Sequence, residues 1–344
     1  MAATSRPAEH RTRRPRRAAD AEPPGVTVSR PDKVLYPAVG FTKAQVVDYY
    51  AAVARFIIPH LEDRPVALHR YPDGVNGPSF WEKDAPRYRP SWIKTFPVPR
   101  RHSGEPPIQY VLVNDRRTLA WAANLANLEL HPFLHRVPAI DRPTAIVFDL
   151  DPGEGADILT CARVAVVLKA VLDRLRLRSF PKVSGSKGLQ LYVPLHTAVT
   201  YEATQPFARA IAALLERQHP QLIVADMAKR VRAGKVLIDW SQNAIHKTTV
   251  GVYSLRAKRE RPFVSLPVTW RELEKALANE DAAGLSYEPD AALKRLARVG
   301  DIFAPVLTLR QELPSEIASV LRSGPPVPVR APKTPRRRGT PLRS

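Results

Sequence analysis

Two aspartates at the end of an apolar segment are the first residues whose spacing suggests chemistry. Asp149 and Asp151 flank Leu150 in the run Ala-Ile-Val-Phe-Asp-Leu-Asp. Residues two apart in a strand point to the same face, so both carboxylates should emerge together while Leu150 points into the core. Like charges this close repel one another unless a cation neutralises them, and oxygen-only ligands suit Mg²⁺ or Mn²⁺. Such a pair is also typical of a capped turn, and Pro152-Gly153 follows it.

A third aspartate interrupts a second apolar segment. Asp239 lies within residues 236–240, Val-Leu-Ile-Asp-Trp, where an unpaired charge would be costly. One interpretation is a core aspartate paired with Lys235 or Arg232. The other is a metal ligand. If the two strands are neighbours, three carboxylates converge, which is the minimum for a two-metal site that drives in-line displacement at phosphorus.

A loop rich in small residues lies between the two acidic segments. Its sequence, Ser184-Gly185-Ser186-Lys187-Gly188, lets backbone N–H groups approach an anion closely, and Lys187 adds a positive charge. The spacing does not match a Walker A loop. An ordinary glycine-rich hairpin is equally consistent with these residues.

Serine and lysine spacings in this region also mimic the motifs of penicillin-binding proteins. Ser184 and Lys187 match S-x-x-K, residues 241–243 match S-x-N, and residues 247–249 approximate K-T-G. The interpretation fails because Gly185 and Gly188 favour a turn over the helix start that would orient the serine. The last two motifs also lie too close together to enclose a domain, and the three aspartates would have no role.

The charge balance favours a polyanionic partner. The 344 residues contain 53 Lys+Arg and 33 Asp+Glu, a net charge of +20, of which residues 25–323 keep +11. An excess that large favours nucleic acid as the partner, although a generally soluble, arginine-rich surface would also produce it.

A single cysteine, Cys161, excludes an internal disulfide framework and a Cys-rich zinc site. We find no signal peptide and no apolar run of about 20 residues, so we expect a cytoplasmic, nucleoid-associated protein.

Helical and strand patterns alternate along the chain. Capping boxes predict helices that begin at Thr42 and Thr269, the second ending near Asn279. Apolar periodicity predicts a helix over about 157–176, and another is predicted from Thr204 to about 217. Strands are predicted at residues 66–70, 109–113, 145–151, 189–195 and 236–240. This order is typical of an α+β (mixed α/β) fold with two lobes that face a cleft.

The domain boundaries follow from composition. Residues 1–24 and 324–344 carry net charges of +3 and +6, and their prolines and low apolar content predict disordered basic tails. Residues 25–323 form the predicted folded domain. Its N-terminal lobe covers about 25–140 and its catalytic lobe about 141–310, with a proline-rich link near 136–143.

Seven blocks in the same order along the chain resemble the polymerase domain of bacterial ligase D, within the archaeo-eukaryotic primase superfamily. The resemblance runs from about residue 26 to residue 309. It rests on Asp32-Lys33-Val34-Leu35-Tyr36-Pro37, Phe80-Trp81-Glu82-Lys83, Glu129-Leu130-His131, Phe148-Asp149-Leu150-Asp151-Pro152, Ser184 to Leu189, Asp239-Trp240-Ser241-Gln242-Asn243 and Tyr253-Ser254-Leu255-Arg256. It implies a primase-like two-lobed fold, with an RRM-like catalytic sheet and a second β-rich lobe. The implied activity is template-dependent addition of nucleotides or ribonucleotides to primer 3′ ends during non-homologous end joining.

The resemblance also implies roles for residues at the reacting centre. Asp149, Asp151 and Asp239 would hold two divalent ions, Mn²⁺ or Mg²⁺, with Asp239 nearest the attacking 3′-hydroxyl. The residues implied to bind the nucleoside triphosphate are Ser184, Lys187, Gln190, His131, Gln242 and Arg256.

Further residues are implied to bind DNA. Phe80 and Trp81 would stack on the template at the break, because aromatic faces accept any base. The cations implied to contact DNA are Lys83 and Arg232 on the template side, with Arg232 also in reach of the triphosphate, and Lys33 and Lys43 at the 5′-phosphate of the downstream strand.

Some of these residues also have purely structural interpretations. His131 is equally well explained as a satisfied, partly buried histidine. Adjacent strand residues face opposite ways, so we expect either Phe80 or Trp81 to be a core residue. Lys43 lies in the first turn of a helix, where a cation is unfavourable against the helix dipole, which favours a functional reason for it.

One position departs from the family pattern. Gln190 stands where the family has a histidine after the glycine turn, and glutamine donates a hydrogen bond but carries no positive charge. Two alternatives to a gap-filling polymerase therefore stay open. The first is a catalytically weak DNA-end-binding module, and the second is a primase that starts chains without a primer.

The composition of the last residues of the sequence affects which partners we expect. After about residue 322 we find only a basic tail, without a ligase or phosphoesterase module. We therefore expect a free-standing polymerase that binds double-stranded DNA ends with a 5′-phosphate and meets the Ku protein and a separate ATP-dependent DNA ligase. The tails would add salt-sensitive DNA affinity through counterion release.

Overall fold

Four helices of the described residues begin at side chains that cap their first turn. In the computed structural model, which describes residues 26–101 and 104–314, Thr42, Asp115, Asp157 and Thr269 each accept a hydrogen bond from the backbone N–H three residues later. The boxes predicted at Thr42 and Thr269 are thus confirmed. The α-helices of the described residues are α1 (Lys43–Leu61), α2 (Arg116–Asn124), α3 (Ile158–Arg174), α4 (Tyr201–Gln218), α5 (Trp270–Asn279) and α6 (Pro289–Val299).

The predicted start of α4 is wrong by one turn. The helix begins at Tyr201, because Thr200 has the extended backbone of an N-cap residue, and Thr204 is a buried residue inside the helix. The Tyr201 hydroxyl lies 3.0 Å from His135 Nδ1, which fixes the first turn against the preceding segment. Helices α2 and α6 were not predicted.

The strands are short, and each of the five predicted strands has a counterpart. Those five are β3, β6, β8, β10 and β12. The strands of the described residues are β1 (Val34–Tyr36), β2 (Phe41–Thr42), β3 (Pro65–Arg70), β4 (Phe80–Glu82), β5 (Thr95–Val98), β6 (Ile108–Leu112), β7 (Asn127–Pro132), β8 (Ala145–Pro152), β9 (Phe180–Val183), β10 (Leu189–Pro194), β11 (Ile223–Val224), β12 (Val236–Asp239), β13 (Leu255–Arg256), β14 (Phe263–Val264) and β15 (Leu266–Pro267).

The first large sheet is antiparallel and centres on β3. One edge of β3 pairs with β6 near Pro65 and with β4 near Arg70, and its other edge pairs with β7. Strand β5 extends the sheet beyond β6. Strand β4 therefore ends one side of the sheet, with β3 as its only partner strand.

The second large sheet has the strand order β11-β12-β8-β10-β9-β15. All its pairs are antiparallel except β11 with β12. Helix α3 packs on β8 and β10, and the buried Cys161 Sγ of this helix lies 3.5 Å from the Leu150 carbonyl oxygen. Leu150 is fully buried, as predicted, so the alternating positions Asp149 and Asp151 occupy the opposite face.

A segment near residues 249–257 joins the two sheets. The Thr249 and Gly251 N–H groups donate to carbonyl oxygens of Pro132 and Leu130 in β7, while the Tyr253 N–H donates to the Ser265 carbonyl. Strand β13, at the end of this segment, is thereby held against β7. The division into lobes near residue 140 stays a prediction, and both predicted tails lie largely outside the described residues.

Among residues 26–101 and 104–314, none of the helices has the length and apolar character needed to cross a membrane.

Candidate active site

Four polar side chains form a row across the second sheet. Asp239 of β12 lies opposite Asp149 of β8, Asp149 lies opposite Gln190 of β10, and Gln190 lies opposite Lys182 of β9. Directly opposed residues of antiparallel strands place their side chains on the same face. Asp151, two residues beyond Asp149, shares that face. The two acidic segments are therefore neighbours in the sheet, as the chemistry inferred from the sequence requires.

Asp239 is held by the residues that follow it. Its Oδ1 accepts hydrogen bonds from the backbone N–H and hydroxyl of Ser241, at 2.9 and 2.6 Å, and its Oδ2 accepts one from the Gln242 amide at 2.9 Å. The structural alternative, an ion pair with Lys235 or Arg232, is not among the ion pairs of the described residues. Gln242 thus touches the carboxylate row.

The carboxylates destabilise one another's charged forms. Burial, together with the charges of Asp151 and Asp239, raises the pKa of Asp149 to about 8. Burial and Asp239 likewise raise the pKa of Asp151, against the opposing effect of Lys258 and Arg232. The Gln190 amide donates to the Asp149 carboxylate and lowers its pKa only in part. The charge of Lys182 also lowers the pKa of Asp149, but burial and the neighbouring carboxylates outweigh both effects.

Oxygen-only donors that repel one another are suited to a hard divalent cation. In the part of the chain that the structure describes, however, no three His, Cys, Asp or Glu side chains are arranged to hold a metal ion as they stand. The hydrogen bonds of Asp239 to Ser241 and Gln242 help to explain this, because they fix the orientation of that carboxylate. The chemistry of the donor set fits a metal, although the side chains are not arranged around one as they stand.

The glycine-rich loop closes against two neighbouring segments. The Ser184 hydroxyl accepts hydrogen bonds from the N–H groups of Ser186 and Gly188, both at 3.2 Å, so it stabilises the turn itself. Gly185 has φ +71°, and a Cβ there would lie 2.7 Å from Cγ of Arg256. A Cβ on Gly188 would lie 2.2 Å from the Leu150 carbonyl oxygen. Both glycines are therefore required to bring the loop against Arg256 and β8, while Lys187 is exposed at its tip.

Lys182 is a member of the row that sequence reasoning missed. It is fully buried, and its Nζ donates to the Ser265 hydroxyl at 2.6 Å. Burial lowers the pKa of Lys182 to about 7, although the charge of Asp149 opposes this shift. A lysine inside an otherwise apolar strand, two residues before Ser184, is the sequence signal that would have identified it.

A second polar cluster lies at the junction of β7 and β13. His131 Nε2 lies 2.8 Å from Glu129 Oε2, and Arg256 Nε lies 3.5 Å from Glu129 Oε1. Burial lowers the pKa of His131 to about 4, despite the opposing effect of Glu129. His131 is therefore neutral near pH 7. The structure thus brings His131 and Arg256 together through Glu129, to which the sequence analysis assigned no role.

The expectation that either Phe80 or Trp81 is a core residue is wrong. Both are exposed, at 45% and 46%, because β4 is a three-residue strand at the edge of the sheet, paired with no strand but β3 among the described residues. Each ring lies on a polar side chain instead of apolar core. Trp81 stacks on His69 with ring centroids 4.2 Å apart, and the Arg70 guanidinium lies 5.1 Å from the centre of the Phe80 ring. Lys83 is the first residue after β4 and is also exposed.

The two lysines implied to bind a 5′-phosphate lie together. The Lys43 N–H donates to the Lys33 carbonyl oxygen at 2.8 Å, at the N-terminus of α1. Lys43 Nζ donates to the Ser29 hydroxyl, whereas Lys33 forms an ion pair with the exposed Asp73. Burial and the charges of Arg30 and Lys33 lower the pKa of Lys43. The structure therefore places three cations at a helix N-terminus, where the helix dipole also favours an anion.

Arg232 lies at the other end of the row. Its guanidinium donates to the Met227 carbonyl oxygen, and its charge lowers the pKa of Asp151. Its Nε is buried without a hydrogen-bond partner in the structure. Lys258, which sequence reasoning missed, also opposes the charge of Asp151. Both cations therefore lie close enough to Asp151 to oppose its rise in pKa.

Comparisons with known proteins agree with this arrangement. Residues 42–303 match the family described as LigD, primase-polymerase domain. The chain is 42% identical over 283 residues to the multifunctional non-homologous end joining protein LigD of Mycolicibacterium smegmatis, covering 82% of this chain and 36% of that protein. It is 34% identical over 247 residues to the bifunctional LigD of Bacillus subtilis, covering 72% of this chain and 39% of that protein.

A solved structure supports the same relationship. The polymerase domain of Mycobacterium tuberculosis ligase D in complex with DNA matches with a TM-score of 0.76 and 39% identity, covering 83% of this chain and 99% of that one. The mixed α/β fold, with acidic side chains on its central strands, is therefore that of a primase-like polymerase domain. The chain belongs to the LigD primase-polymerase domain family. The predicted family and fold class are confirmed, and the chain spans little more than a third of these two LigD relatives.

Proposed function

We propose that the chain is a template-dependent nucleotidyltransferase that adds nucleotides or ribonucleotides to primer 3′ ends at gaps and breaks during non-homologous end joining. The observation that carries the proposal is the pairing of Asp149 with Asp239 in adjacent strands, next to Asp151 and the 184–188 loop. Three carboxylates on one face, with cations around them, suit a reaction in which negative charge must be held close together.

Divalent cations, Mn²⁺ or Mg²⁺, would be held by Asp149, Asp151 and Asp239. When bound there, two such ions supply charge stabilisation for the attacking and leaving oxygens of an in-line displacement. The residues themselves favour a cation, since burial and their mutual repulsion raise the pKa of both Asp149 and Asp151. Ser241 and Gln242 would keep the Asp239 carboxylate in a fixed orientation.

The nucleoside triphosphate would bind between the loop and β13. Arg256 packs against Gly185, so its guanidinium and the exposed Lys187 would neutralise phosphate charge from two sides. Ser184 would support the loop more than contact the phosphates, because its hydroxyl already accepts two loop N–H groups. Neutral His131 and Gln242 would complete the pocket. Gln190 would act through Asp149, to which its amide donates.

DNA would bind along the exposed edge of the first sheet. Phe80 and Trp81 offer ring faces for template bases, with Lys83 beside them. Arg232 would contact the template or the triphosphate. Lys33 and Lys43 would bind the 5′-phosphate of the downstream strand, and Lys33 would have to exchange Asp73 for that phosphate. The DNA in the solved structure of the ligase D polymerase domain supports a DNA partner for this chain.

The biological setting of the activity is part of the proposal. The names of the LigD relatives support a role in non-homologous end joining. We propose that the chain acts there together with Ku and a separate ATP-dependent DNA ligase. We propose that residues 25–323 act as one polymerase domain with an N-terminal lobe and a catalytic lobe, and that it works at the nucleoid in the cytoplasm. The basic segments at 1–24 and 324–344 would strengthen its DNA binding.

Two observations favour a second candidate, a catalytically weak DNA-end-binding module. Gln190 replaces the family histidine, and among the described residues no trio of metal-ligating side chains is ready to bind an ion. A primase that starts chains without a primer would share the same carboxylates.

Primer extension on a gapped, 5′-phosphorylated duplex with Mn²⁺ separates these functions. We expect extension by the parent chain and none by Asp149→Ala, with Lys235→Ala as a control beside the site. DNA binding without extension would favour the end-binding module. Synthesis without a primer would favour the primase.

A further inference from the structure

Glu129 is a buried carboxylate that contacts both halves of the proposed site. It lies in β7, is 1% exposed, and has partners on three different segments of the chain. We propose that Glu129 is a positioning residue that holds the template-stacking edge and the nucleotide pocket in a fixed relative geometry. The inference rests on the proposed function, since it assigns the two surfaces that Glu129 joins to template and nucleotide.

The nucleotide side is held through His131. Glu129 Oε2 lies 2.8 Å from His131 Nε2, and the neutral imidazole must carry its proton on that nitrogen to donate to a carboxylate. The opposite nitrogen, Nδ1, is therefore a hydrogen-bond acceptor. Glu129 thus fixes both the ring orientation and the tautomer that His131 presents to a nucleotide.

The other carboxylate oxygen reaches the triphosphate side. Glu129 Oε1 accepts a hydrogen bond from the Ala257 N–H at 2.9 Å and forms an ion pair with Arg256 at 3.5 Å. Arg256 in turn packs against Gly185 of the loop. One carboxylate therefore locates both the end of β13 and the guanidinium proposed to bind phosphate, across 128 residues of sequence.

The template side is reached through His69. His69 Nδ1 lies 3.6 Å from Glu129 Oε2, and the His69 ring stacks flat against Trp81, with an interplanar angle of 11°. Trp81 also meets His131 edge to face, with centroids 4.6 Å apart. Trp81 therefore packs on one side against His131, which Glu129 orients, and against His69, whose ring nitrogens contact Tyr71 and Ser79. With 46% of its surface exposed, Trp81 is open to a base on the other side.

The charge of Glu129 is what these contacts require. Burial opposes the charge of Glu129, but the hydrogen bond from His131, the nearby His69 imidazole and the charge of Arg256 hold its pKa well below its usual range. A neutral amide at this position would leave Arg256 without its buried counter-charge and would present donor hydrogens to His131 or Ala257. A buried group that loses a charged partner is held less firmly. The template-stacking edge and the nucleotide pocket should therefore both become less well ordered in the variant.

The test is a pair of equilibrium binding measurements on the full chain carrying Glu129→Gln. The probes are fluorescently labelled ATP with Mn²⁺ and a labelled 5′-phosphorylated duplex with a single-stranded template overhang. We expect both dissociation constants to rise at least about tenfold, which is the usual size of a lost charged hydrogen bond. The matched control is Glu272→Gln. It removes a carboxylate on α5 that is paired with Arg295 on α6, outside the proposed site. It should lower the melting temperature similarly and leave both constants within about twofold of the parent.

Two results overturn the proposal. The first is that Glu129→Gln leaves both dissociation constants within twofold of the parent while the melting temperature falls, which indicates a structural role alone. The second is a loss confined to one probe, because a residue that joins two surfaces must affect both.

A second variant covers the case in which Glu129→Gln does not fold. His69→Asn keeps a polar group beside Glu129 but removes the ring under Trp81. Overhang binding should weaken about tenfold, the size of one lost stacking contact, while ATP binding stays within twofold. Unchanged overhang binding overturns the proposal. Primer extension is measured in parallel, and a parent that binds both probes without extending fails the proposed function only.

Discussion

Gln190 lies directly opposite Asp149 in the β8–β10 pair, and its amide, as a hydrogen-bond donor, lowers the pKa of the Asp149 carboxyl against the larger opposing effect of burial. Gln190 is buried, and its Oε1 has no hydrogen-bond partner in the structure. The residue that departs from the family pattern is therefore a neighbour of the central carboxylate. Its amide does for Asp149 what a histidine N–H would also do.

We predict that Gln190→His keeps primer extension and that Gln190→Leu lowers it at least about tenfold. Histidine retains a donor to Asp149, whereas leucine removes the hydrogen bond and leaves a buried charged group less well satisfied. Initial extension rates on the gapped duplex measure the difference. Equal rates for the leucine variant and the parent would mean that the hydrogen bond has no part in the reaction.

The stability of the metal-free chain should respond to the repulsion at Asp149. Burial and the neighbouring carboxylates raise the pKa of Asp149 from the ordinary 3.8 to about 8 in the folded chain, so between these pH values the folded chain retains a proton that the unfolded chain has released. Its contribution to stability is therefore lost as the pH rises through that window. Asp149→Asn should raise the free energy of unfolding at pH 8 in EDTA by about 2 kcal/mol.

Thermal melts at pH 4 and pH 8 check this prediction. The stabilisation by Asp149→Asn should be small at pH 4, where the parent carboxyl is protonated in the folded chain. Added Mn²⁺ should raise the melting temperature of the parent more than that of the variant. A variant that is less stable than the parent at pH 8 without metal contradicts the prediction.

Removal of an exposed aromatic ring at β4 should weaken binding of the template overhang without lowering the stability of the folded chain. Phe80→Ala removes a 45% exposed side chain that packs on Arg70, so the loss of core burial is small. Overhang binding should weaken by about 1–3 kcal/mol, the usual value of one base stacked on an aromatic ring. Fluorescence anisotropy with the labelled overhang measures it, and Trp270→Ala on α5 serves as the control. A fully base-paired duplex should bind both variants alike.

Lys43→Ala should reduce the preference for phosphorylated ends. Its ammonium lies beside Arg30 and Lys33 at the start of α1, and removing it leaves fewer cations at the proposed phosphate site. We expect the ratio of binding to 5′-phosphorylated over 5′-hydroxyl gaps to fall about tenfold. The maximal extension rate should stay near that of the parent. An equal loss on both kinds of end would show that Lys43 does not read the phosphate.

The local signals in the sequence predicted several elements well. The capping boxes at Thr42 and Thr269 place α1 and α5 correctly, because a cap depends only on side chains within one turn. The Asp149-Leu150-Asp151 alternation correctly assigns Leu150 to the core, since strand periodicity is a local property. The family resemblance, which depends on ordered blocks along the chain, is confirmed as well.

Other features depend on what packs against them. Phe80 and Trp81 were expected to divide between core and surface, but only the edge position of β4 shows that both rings are exposed. The sequence analysis predicted no role for Lys182 or Glu129. Their importance follows from the pairing of β9 with β10 and from the contact between β7 and β13.

The sequence by itself determined the fold class, the family and the identity of the acidic, basic and aromatic groups, because residue type and short-range periodicity are written in the order of the chain. The tertiary structure decided which of these groups meet. It placed Asp239 and Gln190 on either side of Asp149 in adjacent strands. It also brought His131 and Arg256 to Glu129, and Trp81 to His131. These contacts connect residues far apart in the chain, and strand order and register, which no local pattern specifies, fix them.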